Sequence, residues 1–399
     1  METLNVPQGS FGLARVPRAG KRPLRAWDAA DEYVLDHLAE LDAQSSNDTD
    51  PPKTIIVGDS FGALACGVSS WAPTVVCESA AGRQAITENL ERAGAASIAI
   101  RSILDLDLED GPFDIVVIKI PKATPHLVEM LHLIRPLVTP TTLVIGAAMA
   151  KHIHTSTIDA FEKIIGPTTT SLAKKKARLI HVSPDPDRQP RPNPWPKTWK
   201  AYGHTLTNHG GGFSPNKLDP GTSLLLDSVR SIEGFLPDPV TAVGDPFHLV
   251  DLGCGNGVIG LALSTMLSQF GVDHRVSAID DSAIAISAAT ASWEVSSDHE
   301  GATRTVDFHH ANRLVNVLGE ASAYLVVVNP PFHEDRVLGD ETAWSMFVDA
   351  HKVLRPGGAI IVVGNRHLAY HAKLKKIFGG VENLGSNAKF VVLSSRKTP

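Results

Sequence analysis

Two patterns of apolar residues alternate along the chain, and together they predict an α/β protein. Short runs rich in valine, isoleucine and leucine recur at 54–57, 115–118, 248–252 and 324–328, each followed closely by glycine or proline. Runs of this kind, bounded by turn residues, are typical of buried strands. A longer apolar stretch that reads as a helix follows one of them, at 258–263. Strands that alternate with helices favour an open α/β sheet.

The most informative strand end lies at Asn329, Pro330, Pro331 and Phe332. Neither proline can donate a ladder hydrogen bond, and each fixes its own φ, so the strand stops here. The rigid terminus holds a side-chain amide and bare carbonyls, with an aromatic ring directly after them. Asn329 Oδ1 and the Pro330 carbonyl suit the two N–H groups of a planar amine, and Phe332 suits stacking on its ring. A proline-capped strand with an ordinary loop is the alternative.

A glycine-dense turn follows the strand at 248–252. Gly253, Gly255 and Gly257 allow a sharp turn and leave the backbone amides open to a ligand, because no Cβ stands in the way. Their G-x-G-x-G spacing differs from the G-x-G-x-x-G dinucleotide fingerprint, which disfavours a nicotinamide cofactor. A second strand ends in Asp280, a carboxylate that suits the hydroxyls of a ribose. A nucleotide binder without transfer chemistry is the alternative.

The first half of the chain repeats this pattern in weakened form. Residues 54–65 match the strand, turn and helix at 248–262, but Ser60 replaces the middle glycine. Residues 113–121 match the third element, with Lys119 in place of the asparagine. A lysine offers no acceptor to an amine. The sequence therefore predicts two tandem domains of one fold, of which the first is degenerate.

These motifs resemble those of a known family. Residues 251–257 look like the first motif of S-adenosylmethionine-dependent methyltransferases of the Rossmann-like class, and 329–332 resemble the motif of enzymes that methylate planar exocyclic amines or amides. Residues 354–358 resemble the turn before the sixth strand of these enzymes. Further segments at 213–214, 218–222, 343–347, 365–368 and 375–379 are together similar to the bacterial ribosomal RNA guanine-N2 methyltransferases of the "methyltransferase small" family. The resemblance covers nearly the whole chain after residue 50.

Within that family, segments at 153–157, 166–170 and 174–180 look most like the large-subunit (23S) enzyme. The resemblance implies direct methyl transfer from S-adenosylmethionine to the exocyclic amine (N2) of a guanine in ribosomal RNA. It implies that Asn329, Pro330, Pro331 and Phe332 are catalytic. The residues that would bind the cofactor lie in the glycine turn and the loops around it: Asp251, Gly253, Cys254, Gly255, Asn256, Gly257, Asp280, Asn312, Asp219 and Thr222.

With 399 residues, the chain is long enough for two domains of ordinary size. We expect a mobile basic lead-in over 1–25 and a degenerate methyltransferase-like domain, kept for folding or RNA recruitment, over 26–183. A Pro-rich connector over 184–205 would join it to a catalytic domain over 206–399. The predicted fold class is thus α/β, with two tandem Rossmann-like methyltransferase domains.

Composition narrows the setting of this activity. No apolar run is long enough to cross a bilayer and the start has no signal-peptide core, so a cytoplasmic protein without a membrane partner is expected. Three cysteines without a pattern indicate neither a disulfide framework nor a metal site.

A net charge of −6 weighs mildly against RNA, but basic clusters at 174–178, 188–200 and 373–376 suit phosphates, and the second is interleaved with aromatic residues. A solvated surface is the alternative for each cluster.

Several other functions remain open at this point. A protein methyltransferase acting on a glutamine amide uses a similar Asn-Pro-Pro, although that group usually shows tyrosine where Phe332 stands. A non-catalytic RNA-binding or ribosome-assembly factor is a rival from another class, against which the intact glycine turn and Asn329 argue. A small-subunit ribosomal RNA enzyme and methylation of adenine N6 complete the alternatives.

Overall fold

The structure, a computed structural model, describes residues 2–16, 24–44, 50–229, 232–236, 246–296, 303–331 and 336–398. The chain divides into two compact units, Met1–Trp195 and Pro196–Pro399. The division falls inside the segment 184–205 that the sequence predicts to be a connector. Each unit is built around its own seven-stranded sheet.

The first unit contains nine strands and five α-helices within the described residues: β1 (Glu2–Val6), β2 (Gly9–Leu13), α1 (Ala29–Asp42), β3 (Thr54–Val57), α2 (Ala63–Gly67), β4 (Thr74–Val76), α3 (Ala80–Ala93), β5 (Ile100–Arg101), β6 (Ile115–Lys119), α4 (Thr124–Ile134), β7 (Leu143–Met149), α5 (Thr155–Ile164), β8 (Thr168–Thr170) and β9 (Ala177–Val182). Its sheet has the order β5-β4-β3-β6-β7-β9-β8. The first five of these strands are parallel, and β9 is antiparallel to both of its neighbours.

The second unit contains nine strands and five α-helices, again counting the described residues: β10 (Lys197–Ala201), β11 (His204–Asn208), α6 (Pro220–Ser228), β12 (Phe247–Leu252), α7 (Val258–Gln269), β13 (His274–Asp280), α8 (Ala283–Glu294), β14 (Arg304–His310), β15 (Ala323–Val328), α9 (Arg336–Val353), β16 (Leu354–Asn365), α10 (Tyr370–Phe378), β17 (Glu382–Ser386) and β18 (Phe390–Arg396). Its sheet has the order β14-β13-β12-β15-β16-β18-β17, with β18 antiparallel.

The two sheets therefore share one strand order, which confirms the predicted α/β class and the two tandem Rossmann-like domains. The apolar runs form the central strands: every residue of β12 and β15 is buried. Such strands lie between helices on both faces of the sheet, so they lack the alternation of a half-exposed strand. The carboxyl ends of the parallel strands meet at one edge of each sheet, where ligands bind in this class of fold.

Two of the predicted boundary segments differ from expectation. Residues 2–13 form the hairpin β1–β2, and Leu4 and Leu13 are only 1% and 2% exposed within the core of the first unit. The expected mobile lead-in is therefore wrong for these residues, because their apolar side chains are buried. The basic residues Arg18, Lys21 and Arg22 lie outside the described residues.

Residues 197–205 of the expected connector also belong to a folded element. They form most of the hairpin β10–β11, whose second strand packs on α8 and is fastened by the Thr207 amide donating to Ser292 Oγ (2.8 Å). Only the part before Lys197 lacks strands and helices. Among the described residues, no helix is long and apolar enough to span a membrane.

Candidate active site

The glycine turn between β12 and α7 requires its glycines for two different reasons. Gly253, Gly255 and Gly257 all have positive φ, at 77°, 55° and 81°. A Cβ on Gly257 would lie 3.0 Å from Trp293 Nε1, so that glycine permits close packing against α8. A Cβ on Gly255 would meet nothing within 4 Å. The turn is therefore packed at its end and open at its middle, where a ligand has room.

Asp251, at the end of β12, lies beneath this turn and is 1% exposed. Its Oδ2 accepts a hydrogen bond from the Gly260 amide (2.8 Å), whereas its Oδ1 is buried and accepts none from any described residue. Burial raises the pKa of this carboxyl to about 7. A buried acceptor without a donor costs about 1–3 kcal/mol. A bound cation with N–H groups, such as the ammonium of an amino acid, would offset that cost.

Asp280, at the end of β13, is tied to the same turn. It accepts hydrogen bonds from the Gly255 amide and the Ser282 amide, both 2.9 Å long. Burial raises its pKa, although these two hydrogen bonds oppose the shift. The structure therefore brings the predicted Asp251, Asp280 and glycine turn together at one edge of the sheet.

Asn329 follows β15 at this edge, and only the nitrogen of its side-chain amide is hydrogen-bonded. Its Nδ2 donates to Thr222 Oγ1 (2.9 Å) and to Asp219 Oδ2 (3.4 Å). Its Oδ1 is buried and receives no hydrogen bond from the parts of the chain that the structure describes. A Cβ on Gly253 would lie 3.8 Å from the Asn329 backbone carbonyl oxygen, so the backbone of Asn329 lies beside the start of the glycine turn. The site thus presents an acceptor that the protein itself does not use.

Three other predicted cofactor residues differ in their hydrogen bonds and burial. The Asn256 side chain is held by Asn208 (3.1 Å) and by the Val258 amide (3.3 Å). Burial raises the pKa of the Cys254 thiol well above its ordinary value, so it stays neutral. Asn312 follows β14 at the same edge, and Asn316 Nδ2 donates to its Oδ1 (3.3 Å).

The structure gives contacts for some of the remaining predicted residues and does not describe Phe332. Asp219 and Thr222 contact the Asn329 amide, as described above. Pro330 and Pro331 follow Asn329 directly, whereas Phe332 lies outside the described residues.

Two contributions to the site were missed by sequence reasoning. Met346, on α9, brings its Cε to 3.5 Å from the place of a Cβ on Gly253, so α9 packs against the start of the turn. Arg313 forms a two-pronged ion pair with buried Asp349, with bonds of 2.7 Å and 2.5 Å, which fixes the loop after β14 to α9. Met346 lies within the family-like segment 343–347, but no local pattern in the sequence gave either residue a place at the site.

The basic clusters expected to contact RNA are partly neutralised. Lys174 and Lys175 pair with Asp36 (2.8 Å) and Glu32 (2.5 Å) of α1, and Lys373 pairs with Asp340. These pairs lower the positive charge that two of the clusters present. The exposed basic residues that remain on α10 are Lys375 and Lys376, and the latter lies 5.3 Å above the Trp344 ring.

The equivalent edge of the first unit is filled by its own side chains. Val57 pairs with Val76 and Ile118, as Leu252 pairs with Ile279 and Val328. The residues one step further along each strand are therefore equivalent: Gly58 and Gly253, Cys77 and Asp280, Lys119 and Asn329. The predicted placement of Lys119 opposite the asparagine follows directly from this register.

In the turn of the first unit, Asp59 accepts hydrogen bonds from the amides of Phe61 (3.2 Å), Gly62 (2.8 Å) and Ala65 (2.9 Å), and it is 2% exposed. Lys119 Nζ donates to Asp28 (2.9 Å) and Asp31 (2.6 Å). The Asp59 carboxylate thus binds the turn amides, and the ion pairs of Lys119 occupy the end of β6.

Comparison with known proteins gives consistent results over both units. The RLMG N-terminal domain family matches residues 1–186, and the methyltransferase small domain family matches residues 203–394. The chain is 38% identical to the ribosomal RNA large subunit methyltransferase G of Streptomyces avermitilis, covering 99% of each chain. It is 40% identical to the protein of the same name from Aeromonas hydrophila, covering 96% of each.

Among solved structures, the T. thermophilus 16S rRNA N2 methyltransferase in complex with AdoMet and guanosine has a TM-score of 0.70 and 19% sequence identity. The alignment covers 99% of this chain and 97% of the other. At this identity the likeness concerns the fold, which extends over both units.

Proposed function

Because this chain belongs to the ribosomal RNA large subunit methyltransferase G family, we propose that it transfers a methyl group from S-adenosylmethionine to the exocyclic amine (N2) of a guanine in large-subunit ribosomal RNA. The observation that carries the proposal is the unused, buried Oδ1 of Asn329, a residue whose backbone lies beside the open glycine turn. This substrate implies a cytoplasmic protein, since bacteria make and assemble ribosomal RNA there.

The residues around the turn fit S-adenosylmethionine. Buried Asp251 Oδ1 suits the ammonium of its methionine end, the space over Gly255 suits its body, and Asp280 suits the ribose hydroxyls. Cys254, Asn256, Gly257 and Asn312 would complete this set around the turn and the loop after β14. When bound, the cofactor supplies an electrophilic methyl group.

The chain's own contribution is to hold the acceptor amine. An aromatic amine is a poor nucleophile because its lone pair is delocalised into the ring. Asn329 Oδ1 and the Pro330 carbonyl would each accept one N–H, which favours a pyramidal nitrogen and stabilises the positive charge that develops on it. Neither group is basic, so the proton leaves to water after transfer. Catalysis then consists mainly of positioning and preorganised electrostatics.

Two neighbouring residues complete the proposed catalytic set. Pro331 keeps the strand end rigid, because it fixes φ and donates no hydrogen bond. Phe332 would stack on the guanine, which must be unpaired or flipped from its helix to reach the site. The exposed Lys375 and Lys376 on α10 are the basic residues of the second unit that we propose for contact with RNA phosphates.

The test is nucleoside mass spectrometry of ribosomal RNA from cells that lack this protein, incubated with the protein and S-adenosylmethionine. Wild type, Asn329→Ala and the control Asn383→Ala, an exposed asparagine on β17, would be compared on free RNA and on large subunits. We expect N2-methylguanosine with wild type and control but not with Asn329→Ala. Methyladenosine would overturn the guanine substrate. No RNA product on either substrate would favour a protein glutamine or a non-catalytic role.

A further inference from the structure

The N-terminus of α6 holds the Asn329 amide in a single orientation. Asn329 Nδ2 donates to Asp219 Oδ2, and a carboxylate can only accept, so the amide nitrogen must face α6 and its oxygen must face away. We propose that Asp219 and Thr222, which the family resemblance places among the cofactor-binding residues, are instead positioning residues, which aim Asn329 Oδ1 at the amine that is methylated. This inference rests on the proposed role of Asn329.

The segment 219–222 is built to keep that carboxylate still. Asp219 caps α6 by accepting from the Thr222 amide (2.9 Å), and Pro220 occupies the first helical turn, where its missing N–H costs nothing. A Cβ on Gly221 would lie 2.8 Å from Asp219 Oδ2 and 3.3 Å from the Phe390 ring, so any other residue would displace one of them. Thr222 is 5% exposed, so its hydroxyl is fixed as well.

The direction of the amide matters because its two ends have opposite hydrogen-bonding character. Oδ1 accepts an N–H of the substrate, whereas Nδ2 in its place would present donors to a donor. The two ends have nearly the same shape, so packing alone does not distinguish them. A neighbour that only accepts, supported by the Thr222 hydroxyl, distinguishes them electrostatically.

The first unit contains the same contact with different chemistry. Asp28 caps α1, and Asp31 stands at the third helical position, as Thr222 does in α6. Both carboxylates accept from Lys119, the equivalent of Asn329. Contact between the helix cap and the strand end therefore belongs to the fold. What is particular to the second unit is that this contact leaves one acceptor unused.

Isosteric variants separate positioning from binding. Asp219→Asn replaces an acceptor-only group by one that also donates, and Thr222→Val removes the hydroxyl while keeping the shape. We expect either change to lower kcat at saturating S-adenosylmethionine and RNA by about 10- to 100-fold. The Kd for S-adenosylmethionine should stay within about threefold of the wild type, which distinguishes a positioning residue from a ligand of the cofactor.

Two further variants control for stability. Thr222→Ser retains the hydroxyl and should restore most of kcat. Ser79→Ala removes the N-cap of α3 in the first unit and should lower the melting temperature without changing kcat. The inference is overturned if Asp219→Asn and Thr222→Val keep wild-type kcat at saturation, or if they weaken S-adenosylmethionine binding tenfold while kcat is retained.

A second readout requires no activity. In protein labelled with ¹⁵N at asparagine, the side-chain amide signal of Asn329 is identified by its loss in Asn329→Ala. We expect slow hydrogen exchange for this amide without RNA, and a changed shift and faster exchange in Thr222→Val and Asp219→Asn. An unchanged signal overturns the inference even if guanine is methylated. A changed signal with no RNA product supports the positioning and removes the proposed function.

Discussion

The two units share one sheet topology but treat the same edge of that sheet in opposite ways. In the second unit, Asp251 Oδ1 and Asn329 Oδ1 are buried acceptors that no described residue satisfies. In the first unit, Ile56 stands in the place of Asp251, and Lys119 in the place of Asn329 donates to two carboxylates. At this edge the second unit therefore keeps two hydrogen-bond acceptors for a ligand, whereas the first unit has an apolar residue and a paired lysine at the equivalent positions.

The same contrast extends to the turn and to the strand that follows it. Gly255 leaves open space, whereas Ser60 stands at the equivalent place and Asp59 binds the turn amides. Cys77 replaces Asp280, and burial raises the pKa of its thiol to about 12, so it carries no charge. We therefore expect the second unit alone to bind S-adenosylmethionine.

The largest effect on kcat should separate two alanine variants, one at Asn329 and one at its equivalent Lys119. Asn329→Ala removes the acceptor that holds the substrate amine, so kcat should fall by about 100- to 1,000-fold. Lys119→Ala should leave kcat unchanged in the fraction of protein that stays folded. Single-turnover methyl transfer, normalised to folded protein, measures both. Comparable losses of kcat in the two variants would contradict the assignment of the reaction to the second unit.

The next effect concerns stability of the first unit. Burial raises the pKa of Asp31 although the Lys119 ammonium opposes this, and Lys119→Met would leave that carboxylate without its cation. Removing one partner of a buried pair costs about 3 kcal/mol, or roughly 10 °C in melting temperature. Calorimetric unfolding measures the loss. The control is Lys151→Met, an exposed lysine of the same unit. Equal melting temperatures in the two variants would show that the ion pair has no such role.

A smaller effect is expected for cofactor affinity. Asp280→Ala removes a carboxylate from the strand end, and each hydrogen bond to a charged group contributes about 1.5–3 kcal/mol. Affinity for S-adenosylmethionine should therefore fall by about 10- to 100-fold, while Cys77→Ala should leave it unchanged. Isothermal calorimetry should give one site per chain with wild type. Two sites, or a loss with Cys77→Ala, would assign a binding role to the first unit.

The smallest effect is a pH dependence that only the second unit should show. Burial raises the pKa of Asp251 to about 7, so its carboxyl is protonated below that pH. In the absence of a ligand, ionisation of this buried carboxyl destabilises the fold. An ammonium requires the carboxylate, so affinity for S-adenosylmethionine should rise about tenfold between pH 6 and pH 8. Asp251→Asn should flatten this profile. An unchanged slope in that variant would mean that another group carries the proton.

Local patterns were sufficient to predict the fold and much of the site. The glycine turn, the carboxylate of Asp280 and the asparagine before two prolines are each set by a few adjacent residues. Since parallel strands end at one edge, their proximity follows from the fold class. The repeated fold of the first half could be predicted for the same reason, because its motifs recur there with Ser60 and Lys119 at the altered positions.

Contacts between distant residues were not predictable. Asn329 and Thr222 lie 107 positions apart, and Lys174 and Asp36 lie 138 apart, so no sequence pattern links them. The hairpin β1–β2 was missed because Leu4 and Leu13 are isolated apolar residues among polar and glycine neighbours. Their burial depends on a core assembled from residues elsewhere in the first unit.

Asp59 has a consequence for how the protein responds to its metabolic surroundings. A ligand that binds only the folded state stabilises it by mass action, by about 2.7 kcal/mol at a concentration of 100 times Kd. The second unit would gain and lose such stabilisation as S-adenosylmethionine rises and falls. In the first unit the Asp59 carboxylate binds the turn amides, and its contribution does not depend on the concentration of any ligand. We therefore expect the stability of the second unit to depend on the concentration of the methyl donor and the stability of the first unit to be independent of it.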